Sequence, residues 1–82
     1  MYAINQIVSV NSFYFAKGST LRAYPRSMEF GGVQCNFIDG LQYLVCRGKQ
    51  VVKLFDMTDG RLTYRLRLED SQWTLVSTRQ IA

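Results

Sequence analysis

Leucines, valines and aromatics take alternate positions from Val51 to Leu75, in stretches separated by Asp59-Gly60 and Asp70-Ser71. A period of two sends successive side chains to opposite faces of a strand, so the pattern predicts three antiparallel strands. With Asp59-Gly60 as a two-residue hairpin turn, Met57 pairs with Leu62, Phe55 with Tyr64, Lys53 with Leu66 and Val51 with Leu68. A turn at Asp70-Ser71 pairs Leu68 with Trp73 and Leu66 with Leu75. This face is the predicted core, and Leu44 and Cys46 join it through a turn at Gly48-Lys49. Gly31-Gly32 and Asp39-Gly40 read as further turns, the second pairing Cys35 with Leu44 and Val33 with Cys46.

The opposite face carries Arg61, Thr63, Arg65, Arg67 and Thr74, but also Leu41, Tyr43, Val45, Val52, Leu54 and Val76. A sheet that is apolar on both sides needs cover twice over, from its own curl, another element or another subunit. Upstream, Tyr2 to Val10 and Ser12 to Ala16 read as strands and Lys17 to Thr20 as a turn. Pro25 donates nothing to a ladder, which makes Leu21 to Arg26 an edge strand or a loop. No segment has a helical period. The expected class is all-β, one domain over residues 1–82 whose best-patterned part runs from 26 to 79. It is a small antiparallel meander of about six or seven strands, SH3-like or otherwise curled into a barrel.

Eighty-two residues accommodate a single small core. The net charge of +4 draws polyanions without identifying one. The chain has no His, which removes the usual general base of nucleophilic catalysis and the usual nitrogen ligand of zinc. Cys35 and Cys46 are too few and too widely spaced for a thiolate site, so neither an enzyme, a cofactor nor a metal is expected. Lys17-Gly18-Ser19-Thr20 reverses the Gly-Lys order of a phosphate loop and lacks its earlier glycine. Asp39 and Asp59 each precede a glycine, where Asp serves a turn, and Asp56, Glu69 and Asp70 also lie near turns. Lys53 shares the core face and is expected at its margin, with its ammonium in water.

The register makes the two cysteines diagonal, which favours two free thiols in a reducing cytoplasm. No basic residue precedes Lys17 and no apolar run is long enough for a membrane span, so no membrane partner is expected. Arg and Tyr beside Val and Leu is the composition of a protein interface. The first expectation is a non-enzymatic interaction or assembly module that pairs with itself or with another protein through Leu41, Tyr43, Val52, Leu54, Arg65 and Arg67. The alternative is RNA or single-stranded DNA binding through Arg47, Lys49, Arg61, Arg65 and Arg67, with bases stacked on Tyr43. In the plainest reading the arginines only keep a strand face wet and its edges apart.

Overall fold

A computed structural model of the chain describes residues 2–15 and 23–80, with side chains over 4–11 and 24–80. The expected turn from Lys17 to Thr20 lies outside the described residues. The strands are β1 (Tyr2–Phe15), β2 (Ala23–Phe30), β3 (Val33–Asn36), β4 (Asp39–Arg47), β5 (Gln50–Thr58), β6 (Leu62–Glu69) and β7 (Gln72–Gln80). They form one antiparallel sheet in the order β3-β2-β1-β7-β6-β5-β4, curled into a half-barrel. Two meanders, β1 to β3 and β4 to β7, are joined where β1 pairs with β7, as at Val8 and Trp73. The N-terminal third therefore extends the sheet sideways.

The imperfect alternation of the first third has a local cause. β1 is a single strand whose register shifts between Ala3 and Gln6, where Asn5 takes a φ of 52°, and again between Val10 and Phe13. Such bulges bend a strand and reset its faces. Pro25 lies in β2 opposite Phe13 of β1, before the part of β2 from Ser27 onward that pairs with β3. The β1–β2 register is irregular just there, between the Ser12–Ser27 and Phe13–Pro25 pairs, and such a bulge is a place where a strand tolerates a residue without an amide hydrogen.

Asp70-Ser71 is a two-residue turn with φ of 51° and 63°, and it pairs Leu68 with Trp73 and Leu66 with Leu75, as expected. Two registers require correction. Across Asp59-Gly60 the partners are Met57 with Tyr64, Phe55 with Leu66 and Lys53 with Leu68, a slip of two residues. The Asp59 carboxylate accepts hydrogen bonds from the amides of Arg61 at 2.8 Å and Leu62 at 2.9 Å, which widens the connection. Thr58 Oγ1 accepts from the Gly60 amide at 3.0 Å and donates to the Leu62 carbonyl at 2.9 Å, holding the wider loop closed. A slip of two keeps every side chain on its expected face.

Asp39-Gly40 makes no turn. β3 folds back on β2 through Gly31-Gly32, pairing Cys35 with Met28 and Val33 with Phe30, so neither pairs with β4. Gly40 instead lies inside β4 opposite Met57, whose thioether fills the place a Cβ would take.

Phe55, Met57, Tyr64, Leu66 and Leu75 are buried as expected, and Val8, Met28 and Phe37 join them. Leu62, Leu68 and Trp73 pack against this cluster. Phe37 comes from the connection between β3 and β4. Its amide donates to the Arg26 carbonyl and that of Ile38 to the Thr58 carbonyl, each at 2.8 Å, so the connection bridges the open side of the curl. Leu44 and Val51, expected in the core, remain 63% and 56% exposed, and Cys46 is exposed too. The pairing of β5 with β6 stops at Lys53, so the turn end of the β4–β5 hairpin runs past the strand that would cover it. Lys53 lies exposed at this margin.

Candidate interaction surface

The hairpin of β4 and β5 is closed by Gly48-Lys49, with Arg47 opposite Gln50 and an unbroken register back to Asp39 opposite Thr58. Leu41, Tyr43, Val45 and Arg47 consequently share the outer face of the sheet with Val52, Leu54 and Asp56. Rows run across it from β4 through β5 to β6: Leu41, Asp56, Arg65 in one and Tyr43, Leu54, Arg67 in the next. Five of the six residues expected to form a partner surface thus fill two adjacent rows.

Their accessibility differs. Leu41 is 60% and Tyr43 43% exposed, while Leu54 is half-buried. Val52, 2% exposed, lies outside the main core cluster and forms the floor of the outer face. Its place in the expected contact set is corrected accordingly, because a side chain sealed by its neighbours touches no partner.

Arg65 grips Asp56 with two parallel bonds, Nε to Oδ1 and Nη2 to Oδ2, both 2.8 Å. Those bonds, aided by the charge of Asp56 and opposed by partial burial, push the Arg65 guanidinium pKa up. Arg67 Nε lies 3.8 Å from Glu69 Oε2 and makes no hydrogen bond among the described residues. Both arginines belong to β6, which pairs with β5 and β7 on its two sides, so they guard no edge. The edge is β4.

The five cations of the nucleic-acid set are not gathered together. Arg47 and Lys49 are exposed at the turn end of the hairpin, and Arg61 is exposed in the loop at the other end of β5. The nine residues of β5 span roughly 25 to 30 Å between them.

Leu44, Cys46 and Val51 lie on the inner side of the same hairpin and add exposed apolar side chains to a turn end that also carries Arg47, Lys49 and Lys53. Assigning them to the core hid them from sequence reasoning; the cue was the carboxylate of Asp59, able to widen its loop and shift β6 along β5. Near the start of β4 an open cleft of about 350 Å³ is lined by Tyr24, Ile38, Asp39, Gly40 and Met57.

The other polar cluster is a fold element. The Tyr64 hydroxyl donates to Asp59 Oδ2 at 2.9 Å. Burial first, then that bond and the neighbouring Cys35, push the Tyr64 pKa well up, so its hydroxyl remains a donor. Partial burial would raise Asp59, but the amides of Leu62 and Arg61, the Tyr64 hydroxyl and the Arg61 charge outweigh it and hold the carboxyl below its ordinary range. Cys35 and Cys46 are free. They are not diagonal neighbours, since Cys35 pairs with Met28 and Cys46 with Val51.

Among the described residues no three His, Cys, Asp or Glu side chains stand together as a metal site, and no helix is long and apolar enough to cross a membrane. Comparison with known proteins finds no family model that matches this chain and no curated protein or solved structure that matches it.

Proposed function

We propose that this protein is a non-enzymatic interaction module whose β4–β5 hairpin and adjoining outer face bind protein. One observation carries the reading: of the eight large apolar side chains exposed among the described residues, five (Leu41, Tyr43, Leu44, Val45 and Val51) belong to this one hairpin. Scattered apolar residues on a surface need no explanation, whereas a cluster at one projecting element marks a contact site. Fully covering a Leu or Val is worth about 1.5–3 kcal/mol, less for these partly covered ones, so the hairpin supplies the apolar centre of an interface. Tyr43 and Arg65 are of the types that anchor interfaces. Asp56 fixes the Arg65 guanidinium in advance, so less freedom is lost on contact. A reducing cytoplasm suits the exposed thiol of Cys46.

Nucleic-acid binding ranks below this, because Arg65 and Arg67 already face carboxylates and Arg61 lies far from Arg47 and Lys49. The deciding experiment compares wild type with Leu41→Glu and with Ile7→Glu, the latter altering an exposed apolar residue away from the hairpin. Proteins retained on immobilised wild type, including soluble copies of the chain itself, are expected to be lost with Leu41→Glu and kept with Ile7→Glu. Identical retention by all three would overturn the assignment. Retention of single-stranded RNA that weakens steeply with salt would put the alternative in its place.

A further inference from the structure

We propose that β4 is the contact through which two copies of this chain join, edge to edge and antiparallel, about a twofold axis at Tyr43. This rests on the interaction-module reading and names its partner.

The two edges of the sheet are unequal. β3 is four residues long, and shortness is one way natural sheets protect an edge. β4 has nine residues, pairs with β5 alone among the described residues, and keeps an unbroken register throughout. From Leu41 to Val45 it carries no charge, no proline and no bulge, so the usual devices against edge pairing are missing along its middle.

The backbone is suitably oriented. In a hairpin closed by a two-residue turn the flanking pair, here Arg47 and Gln50, exchanges both hydrogen bonds. Alternation then turns the N–H and C=O groups of Leu41, Tyr43 and Val45 toward β5. Those of Gln42, Leu44 and Cys46 turn outward, as a ready ladder, together with the Gly40 carbonyl. The Gly40 amide is taken by Asp39 Oδ1 at 2.8 Å, which leaves the second carboxylate oxygen of Asp39 for Arg47 of the second copy.

Charge selects the orientation and the register. β4 begins with Asp39 and ends with Arg47. Antiparallel pairing about Tyr43 sets Asp39 opposite Arg47 of the second copy at both ends, Leu41 opposite Val45, Gln42 opposite Leu44, and Gly40 opposite Cys46. A parallel pair would set Asp39 against Asp39, and a slip of two residues sets Asp39 opposite Val45 in one direction and, in the other, opposite Lys49, which lies in the turn beyond the end of β4. In the centred register outer-face residues meet outer-face residues, so the apolar strip of Leu41, Tyr43 and Val45 runs on into the second copy. Gly40 has no side chain, and the 350 Å³ cleft beside it leaves room for the facing strand end. Each copy uses its β4 once, so the symmetry closes at a dimer.

The test is a cysteine scan in a Cys46→Ser background. Tyr43 would face its own twin in a non-hydrogen-bonded pair, with Cα atoms about 4.5 Å apart. Disulfides span about 4.4 to 6.8 Å, so Tyr43→Cys is expected to give a covalent dimer on mild oxidation, while Leu41→Cys, facing Val45, is not. Sedimentation equilibrium supplies the second measurement. Arg47→Asp, which sets like charges at both ends, is expected to weaken the dimer about tenfold, and adding Asp39→Arg to restore it. Cross-linking of Leu41→Cys as readily as Tyr43→Cys, or indifference to the charge reversal, overturns the proposed register. A wild type that stays monomeric at millimolar concentration overturns the self-pairing. The module reading survives either result if Leu41→Glu still releases bound proteins, and falls with it if Leu41→Glu changes nothing.

Discussion

The two ends of the β4–β5 hairpin are written in the same pattern and behave in opposite ways. Toward the Asp59 loop, Phe55 and Met57 are each 1% exposed. Toward the Gly48-Lys49 turn, Val51 and Leu44 continue the same face of the same two strands into solvent. Near the loop, the rings of Tyr24 and Trp73 meet Phe55, with centroids 6.1 and 5.1 Å away, and β6 lies alongside. Near the turn, β6 has ended. Alternation decides the side on which a residue lies, while depth depends on what the curl of the sheet brings across from it.

Truncation at the two ends gives the strongest contrast. Phe55→Ala removes a fully buried ring and is expected to cost about 3–5 kcal/mol, whereas Val51→Ala is expected to cost less than about 1 kcal/mol. Urea unfolding of both variants measures this directly. Equal losses would mean that the turn end is covered, and the contrast would collapse.

Glycine substitution sharpens it at a smaller magnitude. A Cβ at Gly40 would run into the Met57 thioether and come within 3.0 Å of the Asp56 carbonyl oxygen, a backbone atom with little freedom to retreat. Gly40→Ala is therefore expected to cost about 2–3 kcal/mol, partly relieved by Met57→Ala in the same chain. Gly48, with a φ of 59° and nothing within 4 Å, has only its left-handed backbone to lose, and Gly48→Ala should cost about 1 kcal/mol. Denaturant midpoints of the three variants, read against wild type, separate packing from backbone strain.

The dipeptides Asp39-Gly40 and Asp59-Gly60 mark where the sequence was legible and where it was not. They look alike along the chain, yet one lies in a strand because of Met57 and the other in a loop built by its own carboxylate. The Asp70-Ser71 hairpin was readable because the turn and its pairs are adjacent in sequence. Across the Asp59 loop the faces of Tyr43, Leu54, Arg65 and Arg67 were legible, since a slip of two preserves them. The cross-strand partners were not, because the expected register would set Arg65 against Leu54, and the true one sets it against Asp56. The free edge of β4 was hidden as well, for it depends on β3 choosing β2, a choice made by Gly31-Gly32 in competition with Asp39-Gly40.

The Asp59 loop offers a pH-dependent version of the same comparison. Its carboxyl pKa is depressed in the folded state, so its stabilising effect is complete above the unfolded value and is lost as pH falls through the folded one. Asp59→Ala, which deprives two amides and the Tyr64 hydroxyl of their acceptor, is expected to cost about 1–2 kcal/mol at neutral pH and progressively less in acid. Lys49→Ala at the opposite turn should stay within about 0.5 kcal/mol across the range. Thermal melts from neutral to acid pH measure both, and a constant penalty for Asp59→Ala would remove the carboxylate from the account of the loop.

The smallest expected effect concerns the arginines of the outer face. Arg65 and Asp56 make a bidentate pair with side chains 44% and 10% exposed, whereas Arg67 and Glu69, nearer the overhang, approach only to 3.8 Å. Double-mutant cycles are expected to give a coupling of about 0.5–1 kcal/mol for the first pair and close to zero for the second. The first should also shrink in strong salt, since half of it faces water. Arg65→Lys keeps the charge and loses the fork, so it should retain only part of that coupling. If the outer face serves a partner, Arg65→Lys should then weaken association more than it weakens folding, because the rigid guanidinium matters most where a second surface must meet it in one orientation. Equal effects on both would confine Arg65 to holding β5 against β6.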